Sequence, residues 1–116
     1  MKLTTHVLDV SAGIPAAGVR IELRALQSSV SQLLSVQHTG EDGRCVGPLL
    51  ADEHFQVGRY TLTFYVADYF RSRGVPMADP PFFDEAVIHL GIAEADRHYH
   101  VPLLVTPWSY TVYRGG

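Results

Sequence analysis

The stretch "RYTLTFYV", residues 59–66, limits this chain more than any other. Tyr60, Leu62, Phe64 and Val66 alternate with Thr61, Thr63 and Tyr65. A period of two places the two sets on opposite sides of an extended strand, and aromatic and β-branched side chains suit that pleated surface. The pattern recurs in "VRIELRAL" (19–26), where Val19, Ile21, Leu23 and Ala25 oppose Arg20, Glu22 and Arg24. "LTTHVLDV" (3–10), "QLLSVQHT" (32–39), "EAVIHLGI" (85–92), "YHVPLLVT" (99–106) and "SYTVYRG" (109–115) read as further strands. Turn chemistry separates them at short intervals: "SAGIPAAG" (11–18), "GEDG" (40–43), the proline-rich "VPMADPPFFD" (75–84) and "AEADRH" (93–98). Only "ADYFRSRG" (67–74) departs from this, as a short helix ended by Gly74. Seven or eight short strands with one helix predict an all-β, two-sheet sandwich.

The 116 residues make one domain, 1–116, with enough chain for a hydrophobic core of its own. The formal net charge of -3 gives no electrostatic footprint for nucleic acid or an anionic membrane, so neither is expected as a partner. No run approaches the ~18 apolar residues of a membrane span. Cys45 is the single cysteine, which rules out an internal disulfide. "MKLTTHVLDVSAG" lacks the apolar centre of a secretory signal. The expected location is cytoplasmic; a periplasmic or peroxisomal one stays open if the sequence has been trimmed.

Alternation also sorts the polar residues. Thr4, His6 and Leu8 share one face of the first strand; His98, His100, Pro102 and Leu104 share one face of the penultimate strand. On the last strand Thr111 and Tyr113 oppose Tyr110, Val112 and Arg114. Val101, Leu103 and Val105 form a wholly apolar set and belong in the core. The other face mixes histidine with Leu8, Pro102 and Leu104, a composition suited to a surface covered by another subunit. Three readings of the histidines follow. His98 and His100, with His6, have the residue types of a zinc set but lack supporting carboxylate or cysteine ligands. A packed His100 beside a surface His98 needs no chemistry at all. Acid–base work is the third, because imidazole titrates near neutral pH and an arginine such as Arg44, just past the Asp42-Gly43 bend, holds an anionic oxygen. Cys45 follows Arg44 and points inward.

Taken together, "LTTHVLDVSAGIPAAGVRIEL" (3–23), "GEDGRCVGPLL" (40–50) and "HYHVPLLVTPWSYTVYRGG" (98–116) resemble the 5-hydroxyisourate hydrolases, the enzyme branch of the transthyretin family. "GRYTLTFYVADYF" and "PPFFDEAVIHLGI" fit as well, so the resemblance runs nearly end to end. It implies a transthyretin-like sandwich of two four-stranded sheets with one short helix. It also implies a homotetramer, a dimer of dimers, with the active sites where dimers meet. The family's catalytic histidine of "THVLD" falls on His6, the arginine of "DGR" on Arg44, and the histidine before "VPLL" on His100. Tyr113 of the terminal motif helps close the pocket, with Arg114 at the rim, Thr111 on the same face as the histidines, and His98 ranked below His100. The implied reaction opens the ring of 5-hydroxyisourate to the ureido-imidazoline acid of urate breakdown, with no cofactor and no metal. A transthyretin-like carrier of small ligands is the alternative; that branch lacks the histidines and the tyrosine-arginine ending. The tail reads "YRGG" where the family's usual ending is "YRGS", and "YTV" replaces the common "YST". Gly116 thus offers no hydroxyl.

Overall fold

The computed structural model describes residues 1–115; the expectation about Gly116 lies outside them. The strands are β1 (Lys2–Asp9), β2 (Ile14–Pro15), β3 (Arg20–Gln27), β4 (Val30–His38), β5 (Leu50–Ala51), β6 (Gly58–Phe64), β7 (Ala86–Ile92), β8 (Tyr99–Thr106) and β9 (Ser109–Val112). An α-helix, α1 (Val66–Ser72), follows β6, and a short 3-10 turn covers Asp52–His54 after β5. It ends where Gly74 takes a φ of 77°, with Val75 N–H closing back on the Phe70 carbonyl, so the glycine stops the helix as its sequence position predicts.

Two sheets face one another. One has the order β4-β3-β6-β7; the other runs β2-β1-β8-β9, with β5 also paired to β1. The second sheet therefore has five strands where four were expected. The extra count comes from one interrupted edge. β2 pairs with β1 at Leu8 and Asp9, β5 pairs with it at Lys2 and Leu3, and between them Arg44 bridges His6. Two-residue stubs carry no alternation that a sequence reading can use, which is why residues 11–18 read simply as a loop. The last strand is also shorter than expected: regular pairing stops at Val112, and the tail rejoins β8 through Gly115 opposite His100.

The inward set of each strand fills the space between the sheets. Ile21, Leu23, Leu62 and Phe64 meet Leu3, Val7, Leu103 and Val105, all essentially without solvent contact. At about 25 cal/mol per Å² of apolar surface removed from water, this layer is the main source of stability. Helix α1 buries Tyr69 and Phe70 against the same core. Its tie to the sheet is polar. Asp9, 1% exposed, accepts the Tyr69 hydroxyl at 2.8 Å and the main-chain N–H groups of Ser11 and Ala12. The aspartate of "THVLD" thus locks the helix to the end of β1. Among the described residues no helix is long and apolar enough to cross a membrane.

Candidate active site

β1 and β8 are parallel neighbours, with Thr4 opposite His100, His6 opposite Pro102 and Leu8 opposite Leu104. β9 adds Thr111 opposite Leu104. Thr4, His6, Leu8, His100, Pro102, Leu104 and Thr111 therefore occupy one outer face of the sheet, as alternation predicted once the two strands are adjacent. The opposite face carries Leu3, Val7, Val101 and Leu103 into the core. Tyr113 follows in the same register, its N–H directed to the Pro102 carbonyl at 3.4 Å, and its side chain remains exposed.

Arg44 reaches this face by a tight reversal. Gly43 N–H bonds the Gly40 carbonyl at 2.9 Å, Gly40 N–H bonds the Arg44 carbonyl at 2.8 Å, and the Asp42 carboxylate caps Arg44 N–H at 2.9 Å. The Val7 N–H then takes the Gly43 carbonyl at 2.9 Å, which seats the loop on the open edge of β1 and sets Arg44 beside His6. The next residue, Cys45, packs against the core, and burial pushes its thiol pKa up, which disfavours the nucleophilic thiolate.

The two histidines are held differently. His6 Nε2 lies 2.8 Å from the Asp42 carbonyl oxygen. A carbonyl only accepts, so that nitrogen bears the proton. His100 Nδ1 lies 2.8 Å from the Thr4 hydroxyl oxygen. His100 is half-buried, and its pKa is lowered, first by desolvation, then by the charges of Arg44 and His6, with the Thr4 carbonyl partly opposing. The influence of Arg44 and His6 on His100 reflects their convergence on one site.

Other expected residues lie apart. Arg114 turns to the opposite side of the tail, its guanidinium carbon 3.9 Å from the centre of the Tyr99 ring. This stacking anchors the tail and takes the charge away from the histidine face. His98 precedes β8 on the exposed surface, beside Asp96 and Arg97. Among the described residues no three His, Cys, Asp or Glu side chains gather as metal ligands. Thr4 and Gly115 were not singled out from the sequence, whereas Gly43 was read as part of the Asp42-Gly43 bend. What the three contribute comes from contacts across strands; beforehand, only Thr4's shared face with His6 and the bend at Gly43 were visible.

The fold and this face define a transthyretin-type β-sandwich bearing a histidine–arginine cluster on an outer sheet surface. The sequence matches the HIUase/Transthyretin family over residues 3–115, and the chain belongs to that family. It is 48% identical over 114 residues to a 5-hydroxyisourate hydrolase of Pseudomonas aeruginosa, covering 98% of this chain and 90% of that one. It superposes on the crystal structure of an (S)-allantoin synthase with a TM-score of 0.93 and 43% identity, covering 99% of this chain; it spans only 43% of that protein's length. Sea bream transthyretin in complex with thyroxine matches with a TM-score of 0.89 at 25% identity, covering 99% of this chain and 95% of that one.

Proposed function

We propose that the chain hydrolyses 5-hydroxyisourate, opening its six-membered ring at an amide-type C–N bond. The observation that carries this reading is the convergence of His6, Arg44 and His100 on one sheet face. His100, kept neutral at physiological pH, takes a proton from the attacking water. The water oxygen bonds to the ring carbonyl carbon, and Arg44 receives the charge that develops on the carbonyl oxygen. The C–N bond then breaks, and the departing nitrogen takes the proton back from the protonated His100, which returns that histidine to its neutral state. Tyr113 covers the site from the tail. Arg114 serves it indirectly, by fixing that tail against Tyr99.

The working form in this proposal is a homotetramer, a dimer of dimers located in the cytoplasm, with the site between dimers. Two features support the assembly. Among the described residues the outer strands β7 and β9 each have one edge unpaired, and Ile88 and Leu90 of β7 lie near Val112 of β9, so both edges open on the same side of the sandwich. The histidine face is open in a single chain, with half-buried Leu8 and Leu104 beside it, and it needs a cover to exclude water.

The test adds purified protein to freshly generated 5-hydroxyisourate and follows the ultraviolet absorbance. Decay faster than the spontaneous rate is expected. An unchanged rate would refute the activity, and thyroxine-like ligands bound in its place would favour the carrier reading raised by the likeness to transthyretin. Light scattering is expected to give four chains per particle; a stable monomer at assay concentration would refute a site built between subunits.

A further inference from the structure

The His100 imidazole is gripped at both shoulders. On one side, Nδ1 meets the Thr4 hydroxyl oxygen at 2.8 Å, directly across the β1–β8 pair. On the other, the Gly115 backbone lies so near that a Cβ there would stand 2.9 Å from Cδ2. Gly115 N–H also bonds the His100 carbonyl at 2.7 Å, so this second contact is part of the strand pairing. Nδ1 and Cδ2 flank Cγ, so among the described residues the tip of the ring, Cε1 and Nε2, has no hydrogen-bond partner and faces the sheet surface. The ring is thereby fixed in orientation, and one question about it remains chemical: which nitrogen carries the proton.

We propose that Thr4 is a positioning residue that accepts the Nδ1–H of neutral His100 and so keeps the Nε2 lone pair turned toward the substrate water. The inference rests on the hydrolytic reading above. It adds a residue that acts through His100. A lone pair at Nε2 is what a general base needs, and the alternative tautomer would present a proton there instead. The Thr4 hydroxyl oxygen is the atom that meets Nδ1, and the Thr4 backbone acts on the same ring. The Thr4 main-chain carbonyl, which only accepts, favours the protonated ring, in the same sense as an Nδ1–H directed at Thr4.

The test compares the wild-type assembly with Thr4→Val, which keeps the shape and removes the hydroxyl, and Thr4→Ser, which restores it. Long-range ¹H–¹⁵N correlation of the histidine rings reads the tautomer directly. Wild type and Thr4→Ser are expected to show neutral His100 with the proton on Nδ1, and Thr4→Val a mixture or the opposite tautomer. In turnover, Thr4→Val is expected to lose about tenfold or more in kcat, a part of the roughly 10²–10⁴-fold that an acid–base group contributes, with KM little changed. Thr4→Ser is expected to recover most of that loss. An Nε2–H tautomer in the wild type, or unimpaired kcat in Thr4→Val, would overturn the role of Thr4 while leaving the reaction standing. No turnover by the wild type, with the Nδ1–H tautomer present, would instead sink the reaction and leave the grip on the ring intact.

Discussion

Gly43 lies against Val7 so closely that a Cβ at position 43 would stand 2.3 Å from the Val7 carbonyl oxygen. The same atom would press on the His6 ring at 3.2 Å, and the φ of Gly43 is 78°. Two independent demands thus fall on one residue of "DGR": a left-handed backbone and no side chain. Gly43→Ala would add about 1–2 kcal/mol of backbone strain before the collision is counted. The loop is expected to lift from β1 and carry Arg44 away from His6. Thermal unfolding should move down by several degrees, and kcat/KM should fall with it. A variant with wild-type melting and turnover would show that the close approach is dispensable.

The lowered pKa of His100 predicts a pH dependence with a definite sign. A folded value below the ordinary 6.5 means that the unfolded chain binds this proton more readily. Stability therefore rises with pH through the window between the lowered value and 6.5, and the protein gives up that part as pH falls through the window. Activity follows the same proton. The acid limb of kcat/KM is expected to have its midpoint below 6.5, and pH–rate profiles measure it. A midpoint at or above 6.5 would mean that burial and the neighbouring Arg44 do not control the titrating base.

Gly115 offers a separate lever on the same ring. In Gly115→Ala the new methyl would meet Cδ2 at 2.9 Å, and the imidazole or the tail must move. Because the tail is paired to β8 through the Gly115 N–H, the ring is the more yielding partner. The expected result is a drop of about tenfold in kcat with a melting midpoint near that of the wild type, since the residue lies outside the core. Steady-state kinetics and calorimetry on one preparation decide it; equal losses in both would point to general unfolding of the tail.

Alternation carried most of this architecture. Leu62 and Phe64 gave away β6, and the parity of His6 and His100 placed them on one face as soon as β1 and β8 proved to be neighbours. That adjacency was not legible, because a parallel pair between the first and penultimate long strands joins residues 96 apart in sequence. The family resemblance pointed to Arg44, but the bridge that sets it beside His6 belongs to an edge made of stubs too short for any periodicity. Arg114 shows the converse. Its parity opposed Tyr113, which was visible, but the Tyr99 ring that captures it arrives from another strand.

Asp9 provides the last expectation, because its carboxylate is buried and depends on partners from two elements. Ser11 and Ala12 serve Oδ1, while Tyr69 and, more distantly, Arg73 serve Oδ2. The Tyr69 hydroxyl is pushed up to about 12, by desolvation first and then by its bond to the Asp9 carboxylate, so it remains a donor across the physiological range. Tyr69→Phe removes that donor and leaves one carboxylate oxygen with only the guanidinium 3.7 Å away. A hydrogen bond to a charged group contributes about 1.5–3 kcal/mol, and a loss of that order is expected in denaturant unfolding. The histidine face lies on other residues of β1, so kcat/KM of the folded variant should stay near the wild-type value. An unchanged unfolding midpoint would mean that packing alone holds α1 to the sheet, without the Tyr69–Asp9 bond.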